Sequence, residues 1–126
     1  KENNVTHAFI VHSDDGMDEI SPFAKTNVVE LKNKIINEFK IDPEMLGIKV
    51  SNRENLKGKN AKYNSEKIIE ICKGKLSEFS QSVALNVAAG LIVADKENDF
   101  KEAFSNASKH LQSGKVYEHL IKLQNN

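Results

Sequence analysis

The sequence predicts an α/β fold in which a few strands are followed by four or five helices. Runs of β-branched and aromatic residues fill the first 41 positions, and helical patterns follow one another after about residue 64. The 126 residues, 39% apolar and 29% charged, correspond to one globular domain with a single core.

Residues 6–11 are predicted to form a buried strand, because four apolar residues run together without a helical stripe. The strand ends in the loop-forming residues 12–16. Residues 28–32 and 35–41 are predicted to form a hairpin, since Asn33 tolerates the left-handed backbone that such turns require.

Asp42 and Pro43 indicate the start of a short helix that Gly47 ends. Residues 48–62 are irregular and are predicted to be a loop, after which Ser65 is predicted to cap a helix that stops at Gly74.

Residues 80–94 are apolar nearly all round, as in a helix enclosed by protein on every side. Three strands do not suffice to cover such a helix, so we expect it to pack against more sheet. Asp99 and Glu102 resemble a capping box, and apolar residues at helical spacing continue to Gly114. A final helix is predicted after Gly114.

The composition excludes several classes of function. Cys72 is the single cysteine, so the chain has no internal disulfide or thiolate zinc cluster. No apolar stretch is long enough to span a bilayer, and a cytoplasmic location is the expectation. Eighteen basic and eighteen acidic residues cancel, which gives no electrostatic reason to bind nucleic acid or anionic lipid. Nucleophile elbows, phosphate loops and paired-histidine metal helices do not occur in the sequence.

The charge is nevertheless uneven, because Asp14, Asp15, Asp18 and Glu19 lie within six residues. A loop that gathers four carboxylates either shares a hard cation among them or points them separately into water. A turn at Gly16 would allow Asp18 and Glu19 to converge on one or two cations. Spacing alone leaves both interpretations open and favours the solvated loop.

His12 lies at the predicted strand end beside these acids. It can ligate a metal, orient a carboxylate or contact a substrate, although a hydrogen-bonded structural role is commoner for a lone histidine at such a position.

Residues 11–22 read Val-His-Ser-Asp-Asp-Gly-Met-Asp-Glu-Ile-Ser-Pro and are followed by Val-Val-Glu-Leu at 28–31. This stretch resembles the anthranilate phosphoribosyltransferase family, in which a strand leads into His-Gly-x-Asp-Gly-x-Asp-Glu-x-Ser-Pro. The resemblance continues through residues 42–44, the Leu-Lys-Gly loop at 56–58, the Leu-Asn-Val-Ala-Ala segment at 85–89 and the last two helices. It therefore covers essentially the whole chain.

The resemblance implies a mixed, mostly parallel sheet and a Mg²⁺-dependent transfer of phosphoribose from phosphoribosyl pyrophosphate to anthranilate, in tryptophan biosynthesis. It maps the family's magnesium-binding acids onto Asp18 and Glu19, a pairing that agrees with the preference of Mg²⁺ for carboxylate and phosphate oxygens. Ser13 departs from the family's usual Gly, and Ala24-Lys25 departs from its Gly-Pro.

By the same resemblance, residues 1–126 are the carboxy-terminal portion of the catalytic α/β domain. The family's glycine-rich phosphate loop and dimer-forming helical domain lie upstream, so a homodimer is expected for the full protein and no activity for this chain alone. One alternative is a non-catalytic ligand- or nucleic-acid-binding relative, for which residues 49–75 would supply a basic patch. Another is a structural or interaction module.

Overall fold

The computed structural model describes residues 2–49 and 52–125. The described strands are β1 (His7–Ser13), β2 (Thr26–Lys32) and β3 (Ile35–Ile41). Two short 3₁₀ turns follow, Glu44–Leu46 and Arg53–Leu56, and then four α-helices: α1 (Ala61–Cys72), α2 (Glu78–Val93), α3 (Phe100–Gln112) and α4 (Lys115–Gln124). The predicted α/β class is confirmed.

The three strands form one sheet in the order β1-β2-β3, and both pairs are antiparallel. The predicted hairpin between β2 and β3 is confirmed. Its turn residues Asn33 and Lys34 both have positive φ, 49° and 68°, which matches the right-handed twist of the flanking strands. Every strand pair in residues 2–49 and 52–125 is antiparallel, so the mostly parallel character of the larger sheet stays a prediction.

Strand β1 is buried on one face only, which corrects the prediction of a buried strand. Successive side chains of a strand point to opposite faces. Phe9 and Val11 therefore pack against the core formed by Ile20, Val28 and Leu85, whereas Ile10 on the opposite face is 72% exposed. A run of consecutive apolar residues does not reveal which face of the strand is covered by other residues of this chain.

Helix α1 begins four residues before the predicted cap. The side chain of Asn60 accepts a hydrogen bond from the backbone N–H of Tyr63 at 2.9 Å and so caps the helix at Ala61. Ser65 lies inside the helix and donates to the Lys62 carbonyl at 2.8 Å, so its prediction as the cap was wrong. The predicted loop at 48–62 was therefore too long, and it includes the 3₁₀ turn Arg53–Leu56.

Helices α2 and α3 pack against each other and close the core under the sheet. Ser77 caps α2 through a capping box with Ser80, and Asp99 caps α3 by accepting the Glu102 N–H at 2.8 Å. Leu85 and Ala88 on α2 are completely buried. Val83 and Val87 are partly exposed, so the described residues do not enclose α2 on every side, and its packing against further sheet remains a prediction.

Helix α4 follows Gly114, whose positive φ of 75° ends α3, as predicted. No α-helix within residues 2–49 and 52–125 has both the length and the apolar character needed to cross a bilayer.

Candidate functional site

The candidate site is the acidic loop, residues 14–25, which connects β1 to β2. Its ends are held together, because the Asp14 N–H donates to the Lys25 carbonyl at 2.8 Å. The loop begins with a tight turn, in which the Ser13 N–H donates a hydrogen bond to the Met17 carbonyl at 3.0 Å and Gly16 has a φ of 85°. Glycine adopts this conformation at little cost, as the predicted turn requires.

Asp15 organises the inside of the loop. Its carboxylate accepts hydrogen bonds from the Met17 N–H at 3.2 Å and from the Ser21 hydroxyl at 2.8 Å. The guanidinium of Arg53, from the second 3₁₀ turn, donates to the Asp15 carbonyl at 2.6 Å. Burial acts to raise the pKa of Asp15, but the hydrogen bonds from Ser21, Ser13 and Met17 outweigh it and lower the pKa. This carboxylate therefore holds the loop together.

We expect Asp15→Asn to weaken the acid sensitivity of the fold. A carboxyl whose pKa is lowered by folding stabilises the protein above its unfolded pKa of about 3.9 and loses that contribution as the pH falls through the folded value. When the pH is lowered from about 5 to about 3, the unfolding temperature of the variant should therefore fall less than that of the parent. Parallel curves for the two proteins would show that Asp15 does not carry this dependence.

Asp14 is also engaged, although it is exposed. Its carboxylate accepts a hydrogen bond from the Asn27 amide at 2.7 Å and lies 3.4 Å from the Lys40 ammonium. The hydrogen bond from Asn27 lowers the pKa of Asp14, and Lys40 adds to this effect. Two of the four clustered acids thus have partners, Asp15 within the loop and Asp14 on the sheet.

Asp18 and Glu19, the acidic pair, are exposed on the outer part of the loop. Neither carboxylate has a hydrogen bond or ion pair with any residue in the described ranges. The residues that follow them are anchored, because Ile20, Ser21 and Pro22 are almost completely buried. Within the described residues, the acidic pair is therefore unpaired and exposed on a loop that is fixed on both sides.

The anchor at Ile20 comes from α2. The side chain of Asn86 accepts the Ile20 N–H at 3.0 Å and donates to the Ile20 carbonyl at 3.1 Å. Neither Asn86 nor Arg53 is predicted by sequence reasoning to act at this site. In the sequence, Asn86 is a polar interruption of an apolar stretch and part of the Leu-Asn-Val-Ala-Ala segment that carries the resemblance, and Arg53 is one of eight basic residues between 49 and 75.

The acidic pair fits a magnesium ion that takes the rest of its ligands from substrate and water. Within the described part of the chain, His, Cys, Asp and Glu do not gather in threes in a way that could hold a metal ion. Mg²⁺ needs only one or two protein carboxylates when phosphate oxygens and waters complete its octahedron. Two adjacent exposed carboxylates that form no ion pair with a described residue supply the kind of oxygen ligands that such a shared site takes from the protein.

His12 lies on the uncovered face of β1, opposite Asn27 in the sheet register. Its side chain is exposed and forms no hydrogen bond with the described residues, so the hydrogen-bonded structural role weighed for it is not observed there.

A cleft of about 430 Å³ adjoins the acidic loop and is lined by Met17, Arg53, Glu54, Leu56 and Lys57.

Comparison with known proteins identifies the family. Residues 1–117 match the profile of the glycosyl transferase family, a/b domain. The chain belongs to this family. It is similar to the anthranilate phosphoribosyltransferase of Pelagibacter ubique, with 48% identity over 122 residues, which are 97% of this chain and 37% of that protein. A second relative, the anthranilate phosphoribosyltransferase of Clostridium beijerinckii, is 40% identical over 93% of this chain and 35% of its own length.

Two solved structures share the fold of this chain. The anthranilate phosphoribosyltransferase of Thermus thermophilus superposes with a TM-score of 0.82 and 29% identity, over 92% of this chain and 34% of that chain. The Saccharomyces cerevisiae enzyme in complex with PRPP and Mg superposes with a TM-score of 0.77 and 23% identity, over 89% of this chain and 32% of that chain. The chain thus spans about a third of the length of the relatives it matches.

Proposed function

We propose that this chain is the carboxy-terminal part of an anthranilate phosphoribosyltransferase, a pentosyltransferase of tryptophan biosynthesis. In this role it transfers phosphoribose from phosphoribosyl pyrophosphate to anthranilate as part of the complete protein. The observation that carries the proposal is an acidic pair without partners in the described chain, on an anchored loop, in a sequence 48% identical to an enzyme of that name.

Asp18 and Glu19 are the proposed ligands of Mg²⁺. The ion would neutralise the departing pyrophosphate and orient it, which is the chemistry that a metal supplies to a phosphate leaving group. The related yeast enzyme has been solved with PRPP and Mg, and also with 4-fluoroanthranilate. The exposed carboxylates are accessible to such a metal–phosphate ligand, and the buried segment after them keeps them in one place.

His12 is the proposed substrate contact. It is exposed at the end of β1, two residues before Asp14, at the edge from which the acidic loop emerges. A histidine there can donate a hydrogen bond to a phosphate or hydroxyl oxygen.

The larger domain is proposed to cover the apolar surfaces that this chain leaves exposed. Ile10 and Ile36 on the sheet and Val87 on α2 are between 43% and 72% exposed. Residues 1–126 would then be the carboxy-terminal portion of the catalytic α/β domain, with the glycine-rich phosphate loop and the dimerising helical domain upstream. A homodimer in the cytoplasm is the proposed state of the complete protein.

Residues 49–75, the basic segment, give no added support to the alternative of a nucleic-acid-binding function. Lys57 pairs with Glu54 at 2.7 Å, and Lys67 and Lys75 pair with Glu70 at 2.8 Å and 3.0 Å. These three lysine charges are already paired with glutamates of the chain. A nucleic-acid phosphate would have to displace those glutamates to bind the lysines.

The test is an assay of the complete protein and of residues 1–126 side by side. Loss of anthranilate fluorescence in the presence of phosphoribosyl pyrophosphate and Mg²⁺ measures the reaction. We expect turnover by the complete protein that chelation of Mg²⁺ abolishes, and none by residues 1–126. Absence of turnover by the complete protein would contradict the proposed function, and product formed by residues 1–126 would contradict their incompleteness.

A further inference from the structure

We propose that Asn86 is a positioning residue that holds Asp18 and Glu19 in the geometry needed to bind a divalent cation together with pyrophosphate. This role rests on the proposed function. Asn86 lies in the middle of α2, and its side chain reaches the backbone of the residue that follows the acidic pair.

The amide of Asn86 satisfies both backbone groups of Ile20. Its oxygen accepts the Ile20 N–H at 3.0 Å, and its nitrogen donates to the Ile20 carbonyl at 3.1 Å. The same nitrogen donates to the Ser82 carbonyl one turn earlier in α2, at 2.9 Å. Because the Ile20 N–H can only donate and the two carbonyls can only accept, the amide has a single orientation that satisfies all three groups.

Packing does not explain an asparagine at this position. Residues 83–94 are otherwise apolar or glycine, and a partly buried amide lowers stability unless its hydrogen bonds are made. An aliphatic residue would contribute more to the core but would leave the N–H and carbonyl of the buried Ile20 without this partner. The asparagine is therefore explained by its hydrogen bonds to the Ile20 backbone in the acidic loop.

The acidic pair lies between two fixed points. On the upstream side, Met17 is held by the Asp15 carboxylate and by the Ser13 N–H. On the downstream side, the side chain of Ile20 is 1% exposed and its backbone is bound by Asn86. Only Asp18 and Glu19 separate these points, so the position of the Ile20 backbone limits where the two carboxylates can lie. Such support from neighbouring residues is what makes a ligand set effective.

The test uses the complete protein with Asn86→Asp, which preserves the shape of the side chain. Its carboxylate can accept the Ile20 N–H but cannot donate to the carbonyls of Ile20 and Ser82. We expect Mn²⁺ binding in the presence of pyrophosphate, measured by water-proton relaxation, to weaken about 10-fold, as for other residues that orient metal ligands. The Mg²⁺ concentration for half-maximal turnover should rise by a similar factor, while the KM for anthranilate stays unchanged.

Two further variants separate the role of the amide from a general loss of structure. Asn98→Asp makes the same chemical change in the exposed segment between α2 and α3, at a side chain without a hydrogen bond in the described ranges, and should bind Mn²⁺ like the parent. Asn86→Ser removes the amide without adding a charge, and should weaken Mn²⁺ binding as Asn86→Asp does.

The outcomes distinguish this role from the proposed function. If Asp18→Asn weakens Mn²⁺ binding but neither Asn86 variant does, Asn86 does not position the acidic pair, and the proposed function stands. An equal loss in Asn98→Asp would also overturn the role of Asn86. If Asp18→Asn and Glu19→Gln both bind Mn²⁺ and pyrophosphate like the parent, the proposed metal site itself is wrong.

Discussion

Replacing Asp18 with Asn, or Glu19 with Gln, should lower turnover of the complete protein by roughly 10²-fold or more, the loss typical of removing a group that stabilises charge in the transition state. Each change removes one negative charge from the acidic pair and preserves the shape of the side chain. The remaining carboxylate would hold Mg²⁺ less tightly, so the Mg²⁺ requirement should rise as turnover falls. Steady-state rates over a range of Mg²⁺ concentrations measure both effects.

The matched control is Glu66→Gln, at an exposed glutamate on α1. It removes the same charge away from the acidic loop and should leave both parameters unchanged. Turnover and Mg²⁺ requirement that stay at the parental values in Asp18→Asn and Glu19→Gln would remove both residues from the mechanism.

Gly74→Ala should give a large loss of stability, about 2–4 kcal/mol, from two costs that add. Gly74 follows α1 with a φ of 91°, a conformation that disfavours any side chain. A Cβ atom there would also lie 2.5 Å from the backbone oxygen of Gln112 at the end of α3. The ends of the two helices would have to separate, and the unfolding temperature of the variant should fall accordingly.

Gly47→Ala isolates the backbone cost of this substitution. Gly47 has a φ of 78°, and an added Cβ would meet no atom within 4 Å. Its cost should be about 1–2 kcal/mol, the conformational penalty alone. If Gly74→Ala lowers the unfolding temperature no more than Gly47→Ala does, the close approach of α1 to α3 does not constrain this position.

Features that depend on neighbouring residues are predictable from this sequence. The hairpin turn at Asn33 and Lys34, the cap at Asp99 and the end of α3 at Gly114 all form as predicted, because each depends on backbone preferences of a few adjacent residues. The cap of α1 was misplaced for a related reason. Asn60 and Ser65 are both good capping residues, and the local pattern did not decide between them.

Features that depend on contacts distant in sequence could not be predicted. Asn86 binds Ile20 across 66 positions, and Arg53 binds the Asp15 carbonyl across 38. The different partners of the four acids could not be predicted from the sequence either. Asp15 forms hydrogen bonds within the loop, whereas Asp14 bonds to Asn27 and Lys40. Charge clustering pointed to the acidic loop, whose role as the functional site stays a prediction, and the hydrogen bonds identify which two of its carboxylates have no partner among the described residues.

The most direct test is a crystal structure of the complete protein soaked with phosphoribosyl pyrophosphate and Mn²⁺, with the ion located by its anomalous scattering. Asp18 and Glu19 should contact the ion, directly or through its waters, with direct metal–oxygen distances of about 2–2.2 Å and the pyrophosphate on the same ion. Well-ordered Mn²⁺ and pyrophosphate bound elsewhere, with both carboxylates directed into solvent, would contradict the account.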